Sequence, residues 1–537
     1  MADLLYKKRS KYFLIFFYII IIAGILLRLP RLSERPMHTD EAVHAIKFGF
    51  LLENNNYQYD PQEYHGPTLN YFTLIPAWLR SETKITEVNE STLRIVPVFF
   101  GMVLILVLFL LKNNLDRSTL LFTGLFTAVS PAMVFFSRYY IQEMLLVSFT
   151  FCVIVSGIRY AKSKRLFWAL SMGTFLGLMH ATKETSIIVF FSMLFALIFS
   201  RIFDSSRKNK YFNPIRQINP WHILIALLSA SAISALFYSS FMSNPRGILD
   251  SLSTYKTYLQ RSEHSAWHIH PWFYYIKLLM GSKYPGKPIW SEIFILLLAG
   301  VGIFTSLHRS HHQQEDKSFF RFIVFYSMIM TVIYSIIPYK TPWSMLGFYH
   351  GWILCAAFGA ASILNIQSSQ WLKRFGSFFI FAVVCHLLIQ SYFLNNQYED
   401  DPSNPYVYAH TDKDIFKITE KINDIAEIYP DGKNIYIEVI CPGNDYWPLP
   451  WYLRAFPNVG WWNQVDYSVP AAPIIIAMPS VESDLIKKLY QFPPPGEKSL
   501  YLPLFDQYIE LRPLIEIRGY IQKDLWDLYM QSKNNAN

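Results

Sequence analysis

Charge is what this sequence has least of. Of its 537 residues only 16% are Asp, Glu, Lys or Arg, where a soluble domain carries about 25%, so water is not the solvent for most of the chain. Cysteine is scarce as well. Cys152, Cys355 and Cys385 fall inside apolar stretches and Cys441 stands alone in the tail, which leaves no disulfide framework and no paired metal-ligand spacing. There is no internal repeat and no low-complexity run beyond Pro493-Pro494-Pro495, and the matched broken spans of an inverted-repeat transporter are missing. What is abundant is apolar surface: 52% of the residues are hydrophobic and 17% aromatic.

A membrane-spanning helix needs roughly 20 mostly apolar residues. Apolar cores run over 12–27, 93–111, 120–136, 144–157, 166–179 and 187–198, then over 223–241, 289–305, 319–337, 345–364 and 375–394. The expectation is therefore a polytopic α-helical membrane protein with about eleven transmembrane helices. The first core follows a basic start, as in a signal peptide. Arg28-Leu29-Pro30-Arg31 stands where small residues would mark cleavage, so it is expected to stay as an anchor.

Basic residues are enriched in cytoplasmic loops. They collect at Lys7, Lys8, Arg9 and Lys11, and in alternate connections near 112–117, 159–165, 201–216, 309–321 and 373–374. That alternation accounts for the net charge of +9 without nucleic acid, and puts the N-terminus in the cytoplasm of a cell with this plasma membrane. The connections 31–91, 137–143, 180–184, 243–288 and 338–343 are then outside. The connection 243–288 breaks the rule, with six basic and two acidic residues, an excess that an anionic ligand would explain. Residues 1–394 are expected to form the membrane domain, with large outer loops 30–91 and 243–288. Residues 395–537 are expected to form a small extracytoplasmic α/β domain, with buried strands near 435–440 and 473–478 and helices near 412–428 and 481–490.

Polar groups gather on the outer face. His38-Thr39-Asp40-Glu41 offers a carboxylate as general base with a neighbour; the plain alternative is a helix start capped by its acidic residues. Glu63 and His65, in the turn Glu63-Tyr64-His65-Gly66-Pro67, are suited to orienting a sugar or holding a metal, though turn chemistry alone explains Gly and Pro. Arg138, in Ser137-Arg138-Tyr139-Tyr140-Ile141-Gln142-Glu143, either grips a phosphate or snorkels to headgroups as an anchor. Lys183, in His180-Ala181-Thr182-Lys183-Glu184, and Lys340, in Pro338-Tyr339-Lys340-Thr341-Pro342-Trp343, present the same choice between lipid phosphate and structure. His264 and His268 share a face if their segment is helical, a weak metal signal beside Glu263 and His270. The aromatic run 446–454 and Trp461-Trp462 suit sugar stacking, and equally suit packing.

In this order the motifs resemble the GT-C membrane glycosyltransferases of the protein O-mannosyltransferase and aminoarabinose-transferase clan, and most of all the archaeal and bacterial flippase-activity-associated proteins. The likeness rests on 37–47, 64–71, 137–143, 339–344, 404–411 and 446–454 and runs over essentially the whole chain. His65-Gly66-Pro67 stands where O-mannosyltransferases usually carry His-Pro-Pro. The resemblance implies that Asp40, with Glu41 beside it, acts on the acceptor. It also implies that Arg138 and Lys183 hold the lipid phosphate, with Glu143 as the acidic partner.

The expected reaction is transfer of a sugar from a polyprenyl-phosphate carrier to the hydroxyl of a protein, lipid or glycan acceptor, on the extracytoplasmic face and with inversion. Asp40 is the expected base, and Arg138, Lys183 and Lys340 supply positive charge to the leaving phosphate. Those cations make a divalent metal dispensable while leaving room for one, and no other cofactor is called for. The rival expectation is non-enzymatic handling of lipid-linked sugars, which would use the same cations and not need Asp40.

Overall fold

The computed structural model describes residues 2–55, 57–62, 65–113, 115–205, 218–264, 268–308, 314–365, 370–494 and 498–536. Each of the eleven apolar cores falls on a helix, but not every one on a full span. Among the described residues eight helices are long and apolar enough to cross a membrane by length and composition, and a ninth span results if one bent pair is counted as one. The remaining two of the eleven expected cores fall on apolar helices shorter than this, for local reasons. Leu166–His180 has 15 residues, and at 1.5 Å per residue reaches only about 22 Å, short of the roughly 30 Å hydrocarbon core. The core expected over 289–305 loses its first four residues to the strand Ile289–Trp290 and the turn after it, so its apolar helix is Ile293–Leu307.

The bent pair is Arg117–Val129 and Pro131–Ser137, at 59°. Its break is written in Ser130-Pro131. A residue before proline is pushed out of the helical region, and Ser130 is extended (φ −60°, ψ 123°) while its hydroxyl caps the Met133 N–H. With these helices the chain is an integral membrane protein.

The chain forms two compact units. The first comprises Met1–Leu32, Asn54–Arg80 and Ser91–Tyr408. Its helices approach closely where side chains are small: a Cβ on Gly302 would stand 2.0 Å from the Cys355 carbonyl oxygen, so Ile293–His308 and Leu346–Leu364 pack backbone to backbone. Two antiparallel strands, β1 (Ser282–Lys283) and β2 (Ile289–Trp290), close a hairpin in the long connection before Ile293. Glu292 is fully buried and is met by four donors: Ser130 Oγ (2.7 Å), the Ala132 N–H (2.8 Å), and the hydroxyls of Tyr349 and Tyr406 (2.5 Å each). A buried carboxylate needs such company, and this one joins four segments.

The second unit comprises Ser33–Glu53, Ser81–Glu90 and Ala409–Asn537. Its strands are β3 (Ile437–Ile440), β4 (Val459–Trp462), β5 (Ile474–Ala477), β6 (Tyr501–Pro503), β7 (Ile509–Arg512) and β8 (Ile515–Gln522). The sheet order is β4-β3-β5-β8-β6, with β7 also on β8; β3 is parallel to β4 and β5, and β8 antiparallel to its neighbours. The apolar runs of β3 and β5 are buried throughout, as strands covered on both faces require. The helix Asp414–Ile428 turns Ile415, Ile418, Ile422 and Ile425 inward, a helical period of apolar residues. Lys488 and Glu438 form a buried ion pair at 2.7 Å.

Candidate active site

In the second unit, the helix Thr39–Asn54 begins with two carboxylates in unlike settings. Glu41 is fully buried. It accepts the His38 backbone N–H at 3.1 Å, as a third-position residue reaching back over a helix start does, and pairs with Arg35 Nη2 at 3.3 Å. Asp40 is 45% exposed and its carboxylate makes no hydrogen bond among the described residues; His38 Nδ1 lies 4.0 Å away. That nitrogen accepts the Asp40 N–H at 3.0 Å, so the neutral His38 carries its proton on Nε2.

The segment is held from two sides. The Met37 N–H donates to the Tyr452 hydroxyl at 2.8 Å, and Thr411 Oγ1 donates to the Met37 carbonyl at 2.7 Å. Three stretches that carried the family resemblance thus meet around one backbone. In the run 446–454, Trp451 is buried and donates to Glu90, while Arg454 donates to the Ile85 and Val88 carbonyls and lies over the Trp451 ring. Packing accounts for these two residues.

In the first unit, adjacent residues of one turn reach to two different loops. Lys183 pairs with Glu143, both buried. Glu184 accepts from His65 Nδ1 at 2.8 Å and from the Tyr59 hydroxyl at 3.3 Å. The 65–68 turn is fastened to the same place, through Thr68 N–H to the Ala181 carbonyl (3.3 Å) and the Thr68 and Thr182 hydroxyls (2.8 Å). This approach explains Gly66: a Cβ there would stand 2.2 Å from the Ala181 oxygen. Gly66→Ala is expected to cost about 1–3 kcal/mol, the usual penalty of overpacking, and to lower the melting temperature in a thermal unfolding scan.

Burial pushes the Glu184 carboxyl up, but the neighbouring His65 and then Lys183 outweigh it and hold it below the ordinary carboxylate value. A depressed carboxylate stabilises the fold above its unfolded pKa of about 4.3, and that contribution is lost as pH falls through the folded value. Below about pH 4.3 the melting temperature of the wild type is therefore expected to fall more steeply than that of Glu184→Gln.

Lys340 is buried, and its ammonium donates to two carbonyl oxygens, of His270 (3.0 Å) and Ile337. It has no carboxylate partner among the described residues, and burial lowers its pKa. Around it, His268 Nδ1 and His270 Nε2 share the Tyr408 hydroxyl at 2.6 and 3.3 Å. Arg138 is buried and donates to the Leu27, Arg28 and Arg31 carbonyls at 3.3–3.4 Å. Arg28 is wholly buried and donates to the Thr127 and Ala128 carbonyls at 2.8 and 2.9 Å and to Ser137 Oγ at 3.2 Å. Its acceptors are all neutral.

Among the weak metal candidates, Glu63 and the side chain of His264 lie outside the described residues, and His268 meets Tyr408. Among the described residues no three His, Cys, Asp or Glu side chains gather as metal ligands would. Sequence reasoning passed over Arg28 and Glu292 as functional groups, although a charged residue at the edge of an apolar run is a signal in itself. It also gave no role to Tyr59 and Tyr408, which nothing but their contacts marks out.

No curated protein matches the sequence. The profile of the family described as dolichyl-phosphate-mannose-protein mannosyltransferase matches residues 73–214. Among solved structures, ArnT from Cupriavidus metallidurans in the apo state is similar with a TM-score of 0.59 at 11% identity, covering 95% of this chain and 98% of that one. The same protein bound to undecaprenyl phosphate gives 0.58 at 12% identity with the same coverage. The archaeal oligosaccharyltransferase AglB from Archaeoglobus fulgidus, in complex with an inhibitory peptide and a dolichol-phosphate, gives 0.52 at 12% identity over 88% of this chain and 70% of that one. The family profile and these shared architectures agree with each other: this chain has the fold of the GT-C membrane glycosyltransferases.

Proposed function

We propose that this protein is a membrane glycosyltransferase that moves a sugar from a polyprenyl-phosphate donor to an acceptor hydroxyl, on the extracytoplasmic face. The observation that carries the reading is the buried Lys340 ammonium, which has no carboxylate partner among the described residues. A buried ammonium without a carboxylate is costly, and the Lys340 ammonium is held by carbonyl oxygens only. A phosphate headgroup would supply the missing anion. Two solved proteins of this fold hold a polyprenyl phosphate, which supports a donor of that chemistry here.

In the proposed reaction Asp40 takes the proton of the acceptor hydroxyl as its oxygen bonds to the anomeric carbon. The carbon–oxygen bond to phosphate breaks on the opposite side, so the configuration inverts. The polyprenyl phosphate departs with the electron pair. It is already a good anionic leaving group and needs positive charge rather than a proton, which Lys340, Lys183 and Arg138 provide. His65 and Glu143 act by holding the loops that bear these cations. The scheme calls for no metal. In this proposal the N-terminus lies in the cytoplasm and the tail outside, a reading that the alternation of basic loops supports.

The test is turnover. Purified protein is offered a panel of labelled polyprenyl-phosphate sugars, and sugar leaving the lipid is followed, by transfer or slow hydrolysis. Release from one donor that vanishes in Asp40→Asn supports the enzyme and names its donor. Lipid binding without release from any donor favours non-enzymatic handling of lipid-linked sugars.

A further inference from the structure

The connection 239–292, in the first unit, exposes apolar side chains where a soluble loop would bury them. In the helix Gly247–His264 the inward positions include Gly247, Ser251 and Thr254, small or polar, and Thr254 donates to the Pro61 carbonyl. The outward positions include Leu249 (69% exposed) and Leu252 (63%), one turn apart, with Lys256 on the same side at the next turn. An amphipathic helix in water faces the other way. The short helix Tyr274–Met280 buries Tyr275 and Leu279 but leaves Ile276 and Met280 exposed, as are Trp272 (66%) and Phe273 just before it.

Single exposed apolar residues mean little, but these share one connection between two apolar helices. It is also anchored. The Lys340 N–H donates to the His268 carbonyl at 2.9 Å and the His270 N–H to the Pro338 carbonyl at 3.2 Å, so the strip around Trp272 hangs from the turn that bears Lys340.

Charge completes the pattern. Six basic residues stand against two acidic ones over 243–288. Lys287 is paired with Asp401 and Arg246 lies near Asp250. Lys256, Lys277 and Lys283 are exposed and have no carboxylate partner among the described residues. Exposed tryptophan, phenylalanine and leucine interleaved with unpaired lysine is the composition of a segment that lies in a membrane interface, apolar side chains in the acyl boundary and ammonium groups on lipid phosphate.

We propose that this connection rests on the adjoining bilayer leaflet and binds anionic phospholipid headgroups there, through Trp272, Phe273, Leu249 and Leu252 below, and through Lys256, Lys277 and Lys283 above. The bilayer is the occupant because the chain spans it, and the anionic headgroup because the lysines have no carboxylate partner among the described residues. This is independent of which reaction the protein catalyses.

The full chain is tested in lipid nanodiscs. A spin label at Trp272→Cys, in a Cys385→Ser background, reports collision with oxygen, which enters lipid, and with a nickel chelate, which does not. Oxygen access exceeding nickel access is expected. Spin-labelled phosphatidylglycerol is expected to associate more strongly than phosphatidylcholine, and this preference to fall toward unity when Lys256, Lys277 and Lys283 are replaced by Gln. Each lysine near a charged surface is worth about fivefold at most. These lysines are exposed, so the variant should fold, and the Trp272→Cys immersion in phosphatidylcholine discs should persist in it. A label open to nickel in both lipids would overturn the proposal and leave the strip to a protein partner. Immersion with no headgroup preference, or a preference the lysine variant keeps, would overturn the anionic assignment.

Discussion

Asp40→Asn is expected to lower sugar transfer by about 10²–10⁴-fold, the range that a positioned general base supplies, while the melting temperature stays within the scatter of a surface substitution. The expectation rests on the contrast with its neighbour. The Asp40 carboxylate is half in solvent and holds no hydrogen bond among the described residues, so the amide of Asn replaces it at no structural cost. Glu41 is the reverse: buried, facing Arg35, and accepting the backbone N–H that starts the helix. Glu41→Gln keeps the shape but weakens a charge-assisted pair, and should cost roughly 1–3 kcal/mol of stability. Two adjacent acidic residues are thus separable by their readouts, turnover for one and thermal unfolding for the other. Turnover retained in Asp40→Asn would remove it from the role of base.

Which of the two carboxylates is free was not legible in the sequence. Both stand in the first turn of a helix, and only the burial of Glu41 against Arg35 distinguishes them. The apolar cores were legible because their length and composition are local properties, and the failures are local too. Ser130-Pro131 breaks one core, and the β2 strand with Glu292 shortens another. In the tail, strands β3 and β5 and the helices Asp414–Ile428 and Glu482–Tyr490 were legible for the same reason, being written in runs and periods of Ile, Val and Leu, whereas β4, β6, β7 and β8 were not. The pairings were not. His65 meets Glu184 across 119 positions and Lys183 meets Glu143 across 40, and no spacing rule connects residues that only folding brings together. Gly66 shows the limit most plainly: it reads as a turn residue, but the reason for it is the Ala181 carbonyl more than a hundred positions away.

Lys183→Met is expected to be both unstable and inactive, and the two losses should come apart in a double variant. In the folded protein Lys183 is paired with Glu143 and both are buried. Removing the lysine leaves a buried carboxylate without its cation, which costs about 3–5 kcal/mol and should show as a large fall in melting temperature. Lys183→Met with Glu143→Gln has no charge left to strand, and replacing a buried ion pair whole is often neutral. Most of the stability should therefore return. Activity should not return if Lys183 holds the donor phosphate, because the missing cation was to act on the leaving group. Glu143→Gln alone sharpens the argument. It frees the ammonium of its carboxylate, so a polyprenyl phosphate no longer competes for that charge and should bind at least as tightly as to the wild type, measured by lipid titration. If the double variant regained both stability and turnover, Lys183 would be a structural cation only, and the phosphate would fall to Lys340 and Arg138.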